Sequence, residues 1–207
     1  MLVNLSIHEF LKVTAGNDPV PGGGSISALC GALSSALGEM VANLTIGKKK
    51  YQEQEELMRE LAEVFSSYQN EFRQAIDEDS NAYNLVFDAF KLPKESDEEK
   101  AVRSQKIQEA TRIAAEVPLQ VARQALQIME PIEILAQRGN QNAVTDACVA
   151  MMCARTAALG AILNVRINLS SLKDEEYVKQ VTSEIETIEQ QAILKEQQLL
   201  AWVKTII

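Results

Sequence analysis

The sequence predicts an all-α protein, a multi-helical bundle of five to seven helices with kinked long helices, forming a single domain over 1–207. Apolar residues recur at three- and four-residue spacing in almost every window, and Val, Ile and Thr nowhere gather into an alternating strand pattern. Ala, Leu, Glu, Gln and Lys, all good helix formers, dominate the composition. Hydrophobic residues make up 46% of the 207, enough for a core, and no repeat or long linker divides the chain.

Ser6 and Glu9 form a capping-box pattern that opens a short first helix to about Ala15. The run Gly16-Asn17-Asp18-Pro19-Val20-Pro21-Gly22-Gly23-Gly24 is the longest set of helix breakers in the chain. Ser25 then serves as the N-cap of a second helix. Its apolar residues Ile26, Leu29, Leu33, Leu37, Met40 and Leu44 share a helical spacing, and its small residues Ser27, Gly31 and Ser35 fall four apart on another face. Small residues let a neighbouring helix approach closely, so this helix belongs at the centre. Gly47 ends it, and Lys48-Lys49-Lys50-Tyr51 makes the corner.

From Gln52 a long acidic helix turns Leu57, Leu61, Val64, Tyr68, Phe72 and Ile76 inwards and runs to Leu92-Pro93. A second capping box, Ser96 with Glu99, opens the next helix, which Pro118 should kink or break because proline removes an internal hydrogen bond. Pro131 repeats the problem. Gly139-Asn140-Gln141-Asn142 is a turn, and Thr145-Asp146 starts a second helix rich in small residues. A polar stretch over 164–171 leads to a last amphipathic helix from about Asp174 to Trp202.

Charge and composition exclude several functions. With 20 Lys+Arg against 29 Asp+Glu the net charge is -9, which opposes nucleic-acid binding. One histidine excludes a multi-histidine metal centre, and a Ser-His-Asp triad would need His8. The segments 25–46 and 143–165 approach the length of a membrane span. Glu39 in the first, and Asp146 and Arg155 in the second, make each a buried helix of a soluble protein rather than a membrane helix. No secretory leader opens the chain, and three cysteines, an odd number, suit a reducing cytoplasm.

Five features can carry chemistry, each with a plainer structural explanation beside it. Gly22, Gly23, Gly24 and Ser25 lead into a helix start whose free N–H groups suit an anion, or form only a tight turn. Lys48, Lys49 and Lys50 form either a clamp for a polyanion or a solvated corner. Asp79 and Tyr83, four apart, share a helix face as an acid/base pair, or lie on a plain helix surface. Asp146 lies at a helix start beside Asn140 and Asn142, where capping alone would explain it. Asn164, Arg166 and Asn168 can line a cleft at the other end of that helix. Cys30, Cys148 and Cys153 are read as small core residues.

The ordered set of segments resembles a known family. They are Pro21 to Ser25, Met40-Val41-Ala42-Asn43-Leu44-Thr45, Gly47 to Tyr51, Asp79 to Tyr83, Leu92-Pro93-Lys94, Val117-Pro118-Leu119, Gly139-Asn140 with Asp146, and Asn164 to Leu169. Their order and spacing are similar to the cyclodeaminase domain of formiminotransferase-cyclodeaminase and to the free-standing methenyltetrahydrofolate cyclohydrolases. Each motif is weak alone; their co-occurrence over nearly the whole chain is specific.

The resemblance implies a helical homodimer, a tetrahydrofolate substrate, polyglutamylated or not, and no metal or other cofactor. A cyclodeaminase closes 5-formiminotetrahydrofolate to 5,10-methenyltetrahydrofolate and releases ammonia. A cyclohydrolase interconverts the 5,10-methenyl and 10-formyl forms. Asp79 or Asp146 would stabilise the cationic methenyl group, and Tyr83 or a lysine would hold the proton. Lys48 to Lys50 or the Gly22–Ser25 helix start would take the glutamate tail, and Asn43, Asn140 or Asn142 the pterin. The motif order favours the cyclodeaminase. The absence of a preceding formiminotransferase domain keeps the cyclohydrolase open, and a non-catalytic folate-binding dimer is the alternative outside catalysis.

Overall fold

The computed structural model describes residues 1–207 and contains seven α-helices and no strand. They are α1 (Ile7–Thr14), α2 (Gly23–Asn43), α3 (Glu55–Phe90), α4 (Asp97–Gln127), α5 (Met129–Arg138), α6 (Val144–Leu169) and α7 (Glu175–Val203). Short 3-10 turns lie at Leu2–Asn4, Lys49–Gln54 and Gln141–Ala143. α2 and α6 form the centre. α2 packs on α3 and α6, α4 packs on α3 and α6, and α7 closes over α6. Both predicted capping boxes form, at Ser6/Glu9 and Ser96/Glu99.

The contact between α2 and α3 follows one antiparallel register. A Cβ on Gly38 would lie 2.6 Å from the Phe65 ring, and one on Gly31 2.5 Å from the Phe72 ring. One further step of seven residues puts Gly24 against the carboxylate of Asp79. The missing side chains thus form three notches on α2, filled from α3 by two phenyl rings and one acid. Both rings are fully buried, each worth about 2–3 kcal/mol of apolar transfer. This register also corrects the α3 face read from sequence: Phe65 and Met58 go inwards, while Val64 is 38% exposed.

The buried face of α2 is its small-residue face. Gly24, Ser25, Ser27, Ala28, Gly31, Ala32, Ser34, Ser35 and Gly38 are buried. The other apolar stripe is divided: Ile26, Leu29 and Leu37 pack partly buried against the core, while Leu33 is 50%, Met40 37% and Leu44 42% exposed. On α6, Ala147, Ala150, Ala154, Ala157, Ala158 and Ala161 are buried while Val149, Met152, Leu163 and Ile167 are exposed. Close helix packing consumes the small side chains and leaves the large ones over. Both helices are long and apolar enough to cross a membrane by length and composition, and about half of each apolar window is buried here.

The two prolines have different effects, and Pro118 does not end its helix. α4 runs unbroken through Pro118. The ring removes the N–H that would bond the carbonyl of Ala114, and the Asn168 side-chain amide donates to that carbonyl at 2.9 Å. Pro131 sits in the first turn of α5, where no intrahelical N–H partner is required. The α4–α5 break therefore falls at Ile128, three residues before it.

Candidate active site

A cleft lies where the start of α2, the middle of α3, Ala114 of α4 and the end of α6 converge. It is lined by Pro19, Val20, Gly22 to Gly24, Asp79, Tyr83, Val86, Ala114, Asn164, Ile167 and Asn168, and holds about 280 Å³. The breaker run builds one wall, and Gly22, not Ser25, occupies the N-cap position of α2. Ser25 is the third residue of the helix and fully buried.

The glycines admit an acid from the protein itself. Asp79 occupies the space that a Gly24 side chain would fill, at the positive end of α2. The anion that the helix start calls for is thus supplied by α3. Ser25 Oγ lies 2.9 Å from the Ile76 carbonyl, 3.0 Å from Asp79 Oδ2 and 3.2 Å from Ser80 Oγ. A hydroxyl has one proton. When Ser25 donates to Ile76, the contact with Asp79 is satisfied only if the carboxyl carries a proton. Burial pushes the Asp79 carboxyl above its ordinary value of 3.8, and hydrogen bonds from the Ser25 hydroxyl and backbone hold back part of the rise. A partly buried carboxyl with a raised pKa, in a cleft, is suited to acid/base chemistry.

Tyr83 lies one turn beyond Asp79 at the cleft mouth, 40% exposed, with its ring stacked on Phe87 at 6.4 Å between centroids. On the far wall, the Asn164 amide donates to the Gly160 carbonyl at 2.8 Å. The Asn168 amide donates to Ala114 and to the Asn164 carbonyl, each at 2.9 Å. A Cβ on Gly23 would sit 3.2 Å from the Asn164 amide nitrogen, so that glycine leaves room for it. No lysine, arginine or histidine lines the cleft.

The remaining candidates lie at the other end of the bundle. α2 has 21 residues, so about 30 Å separates its two ends at 1.5 Å per residue. Asn43, Lys48, Lys49 and Lys50 are all exposed at the far end. Asn140 is buried there and its groups are taken up by the fold. Its N–H donates to Thr45 Oγ1 at 2.9 Å, its amide donates to the Leu44 carbonyl at 3.1 Å, and its Oδ1 accepts from Asn142 N–H at 3.2 Å. Asp146 stands in the first turn of α6 at that end too. Tyr51, which the sequence did not single out, accepts from Gln141 N–H through its hydroxyl at 3.0 Å. That bond lowers the Tyr51 phenol, helped by Lys50 and Lys48. Within one chain, then, Asp79 and Tyr83 share a cleft with Gly22 to Gly24, while Asp146, Asn43, Asn140, Asn142 and Lys48 to Lys50 belong to the opposite end of the bundle. His8 is exposed on α1. No group of three or more His, Cys, Asp or Glu is placed to hold a metal.

Comparison with known proteins gives a consistent picture. The family model described as formiminotransferase-cyclodeaminase matches residues 6–187. The chain is 40% identical over 186 residues to a methenyltetrahydrofolate cyclohydrolase of Methylorubrum extorquens, covering 90% of this chain and 89% of that protein. It is 32% identical over 191 residues to the formimidoyltransferase-cyclodeaminase of Rattus norvegicus, covering 92% of this chain and about a third (35%) of the rat protein. The crystal structure of a formiminotetrahydrofolate cyclodeaminase from Thermotoga maritima superposes with a TM-score of 0.89 at 30% identity, covering 100% of this chain and 99% of that one. On fold, extent of match and identity together, the chain belongs to the formiminotransferase-cyclodeaminase family of folate one-carbon enzymes.

Proposed function

We propose that this protein is a formiminotetrahydrofolate cyclodeaminase acting through Asp79. The observation that carries the reading is a partly buried carboxyl with a raised pKa, held against the start of α2 in a cleft without cationic side chains. Substrate and product both carry positive charge on the one-carbon unit, and a carboxylate facing it stabilises that charge. In the reaction N10 attacks the formimino carbon and a new C–N bond forms. The N10 proton must leave and the departing nitrogen must gain one. Asp79 takes the first proton and returns it to the leaving amine, so ammonia departs, the C–N bond to it breaks, and the methenyl cation remains. A carboxyl whose pKa burial raises is a better proton donor for the second transfer than an ordinary exposed carboxylate.

A second reading, the methenyltetrahydrofolate cyclohydrolase, is favoured by the 40% identity to the Methylorubrum protein over nearly its full length. There Asp79 would receive a proton from attacking water.

The tail of the folate is anionic, and the cleft offers it no cation. We place it on Lys48 to Lys50 of a second copy. Leu33 and Met40 of α2, with Val149, Met152, Leu163 and Ile167 of α6, form an exposed apolar face on the two central helices. A two-fold axis perpendicular to α2 across this face sets two copies antiparallel. The Asp79 cleft of one then lies alongside the lysine end of the other. The reading places this homodimer in the cytoplasm, where free thiols at Cys30, Cys148 and Cys153 are stable.

The test is near-ultraviolet absorbance, which the methenyl form shows and its formimino and formyl relatives lack. Accelerated appearance from 5-formiminotetrahydrofolate with ammonia release supports the cyclodeaminase. Accelerated loss from 5,10-methenyltetrahydrofolate alone supports the cyclohydrolase. No acceleration in either overturns both and leaves a folate-binding dimer.

A further inference from the structure

We propose that Asn164 and Asn168 form the specificity element for the pterin head, their two side-chain oxygens accepting hydrogen bonds from its donor edge. The inference rests on the functional reading above and adds the residues that select the ring.

Protein carbonyls take up the amide nitrogens of both residues, Gly160 for Asn164, and Ala114 together with the Asn164 backbone for Asn168. An amide whose nitrogen is committed presents its oxygen as an acceptor. Neither oxygen accepts a bond from the protein, and both residues line the cleft. They lie four apart on α6, so the two acceptors stand one helical turn apart on one face, roughly 5–6 Å. The orientation of Asn168 is imposed by Pro118, which leaves the Ala114 carbonyl in need of a donor. An aspartate at that position could not meet it.

The chemistry of the wall therefore excludes some ligands and selects others. A cleft edged by two fixed acceptors and one carboxyl repels phosphates and carboxylates. It suits a flat group rich in N–H. A tetrahydropterin presents N3–H and a 2-amino group on its pyrimidine ring and N8–H on the adjoining reduced ring. With the amides holding that edge, Asp79 on the opposite wall is left for the one-carbon bridge, and Tyr83 covers the mouth. The sequence candidates for pterin binding, Asn43, Asn140 and Asn142, lie at the other end of the bundle, and the Asn140 amide bonds the Leu44 carbonyl and the Asn142 N–H.

The test compares the tetrahydrofolate substrate that the wild type turns over with its 2-desamino-2-methyl counterpart, which lacks the amino donor. The wild type should prefer the natural substrate in kcat/KM by 10-fold or more, since unpaired polar groups in a site discriminate strongly. Asn164→Ala should reduce that preference about tenfold, mainly through KM, with helicity unchanged. Asn168→Ala should do the same, and it is measured also in a Pro118→Ala background, where the restored N–H relieves the Ala114 carbonyl. If the wild type is active and both asparagine variants keep its preference, the assignment is overturned while the functional reading stands. If the preference disappears in Asp79→Asn alone, the donor edge belongs to the carboxylate and the assignment is equally overturned. If the wild type turns over neither 5-formimino- nor 5,10-methenyltetrahydrofolate, the functional reading itself falls, and this assignment with it.

Discussion

Asp79 faces Gly24 in the same antiparallel register that sets Phe72 against Gly31 and Phe65 against Gly38. The candidate catalytic carboxyl is thus the third member of a packing series. Two members are hydrophobic and fix the fold. The third is polar and meets the start of α2, where its charge is favoured by the helix dipole but opposed by burial.

Asp79→Asn should lower kcat at least 100-fold and leave helicity intact, because the amide keeps the shape and loses the titration. It should also raise stability at neutral pH. The folded pKa of Asp79 lies above its unfolded value, so the folded state binds the proton more tightly. Stability from this group is full below about pH 3.8 and falls as pH rises through the folded pKa. Thermal melts of both proteins should diverge above that range and converge below it.

Gly24→Ala and Gly31→Ala should separate activity from stability. A Cβ at position 24 collides with the Asp79 carboxylate, so turnover should fall about 10- to 100-fold through displacement of a positioned group. A Cβ at position 31 meets the buried Phe72 ring at 2.5 Å, and overpacking of that kind costs about 1–3 kcal/mol. Denaturant titration and steady-state kinetics on both variants check the split.

Asn168→Ala should cost about 1–3 kcal/mol, the usual penalty for an unpaired buried carbonyl, here that of Ala114. Adding Pro118→Ala should recover part of it by restoring the helical N–H. A double-mutant cycle with a coupling energy near zero would contradict the pairing.

Arg123 joins α4 to α7 by donating to both carboxylate oxygens of Glu184, at 2.6 and 2.8 Å. This holds the Glu184 carboxyl below its ordinary value of 4.5. The contribution is present above that value and lost as pH falls through the folded pKa. The side chains are about a third exposed, so screening limits the pair to about 1 kcal/mol. Arg123→Met should remove the acid-side slope that the pair adds to the stability curve.

Leu33→Glu should yield monomers by sedimentation. Turnover of a polyglutamylated substrate should then drop more than that of the monoglutamate, as the tail loses the lysines of the second copy. An unchanged ratio between the two substrates would remove the lysine assignment.

Much of this was legible in the sequence. Capping boxes at Ser6 and Ser96 mark helix starts because side chains and backbone N–H groups three positions apart satisfy each other locally. Asp79 and Tyr83 were recognisable as a pair from helical spacing alone. The central place of α2 was legible from its small residues, but which neighbour fills its notches was not. Which stripe faces in depends on the partner helix, and the matching seven-residue spacing of Gly24, Gly31 and Gly38 with Phe65, Phe72 and Asp79 was the signal available. Asn164 and Asn168 were legible as cleft-lining residues, but the bond that orients Asn168 was not: it depends on a carbonyl freed by a proline fifty residues earlier in the chain, a relation that no local window contains.

The α2–α3 register also works as a ruler. One residue inserted into α3 between Phe72 and Asp79 would swing the carboxyl about 100° around the helix axis while both phenyl rings stayed in their notches. The acid would then point away from the start of α2. Its position is set by a count of residues along a rigid rod rather than by the loop in front of it.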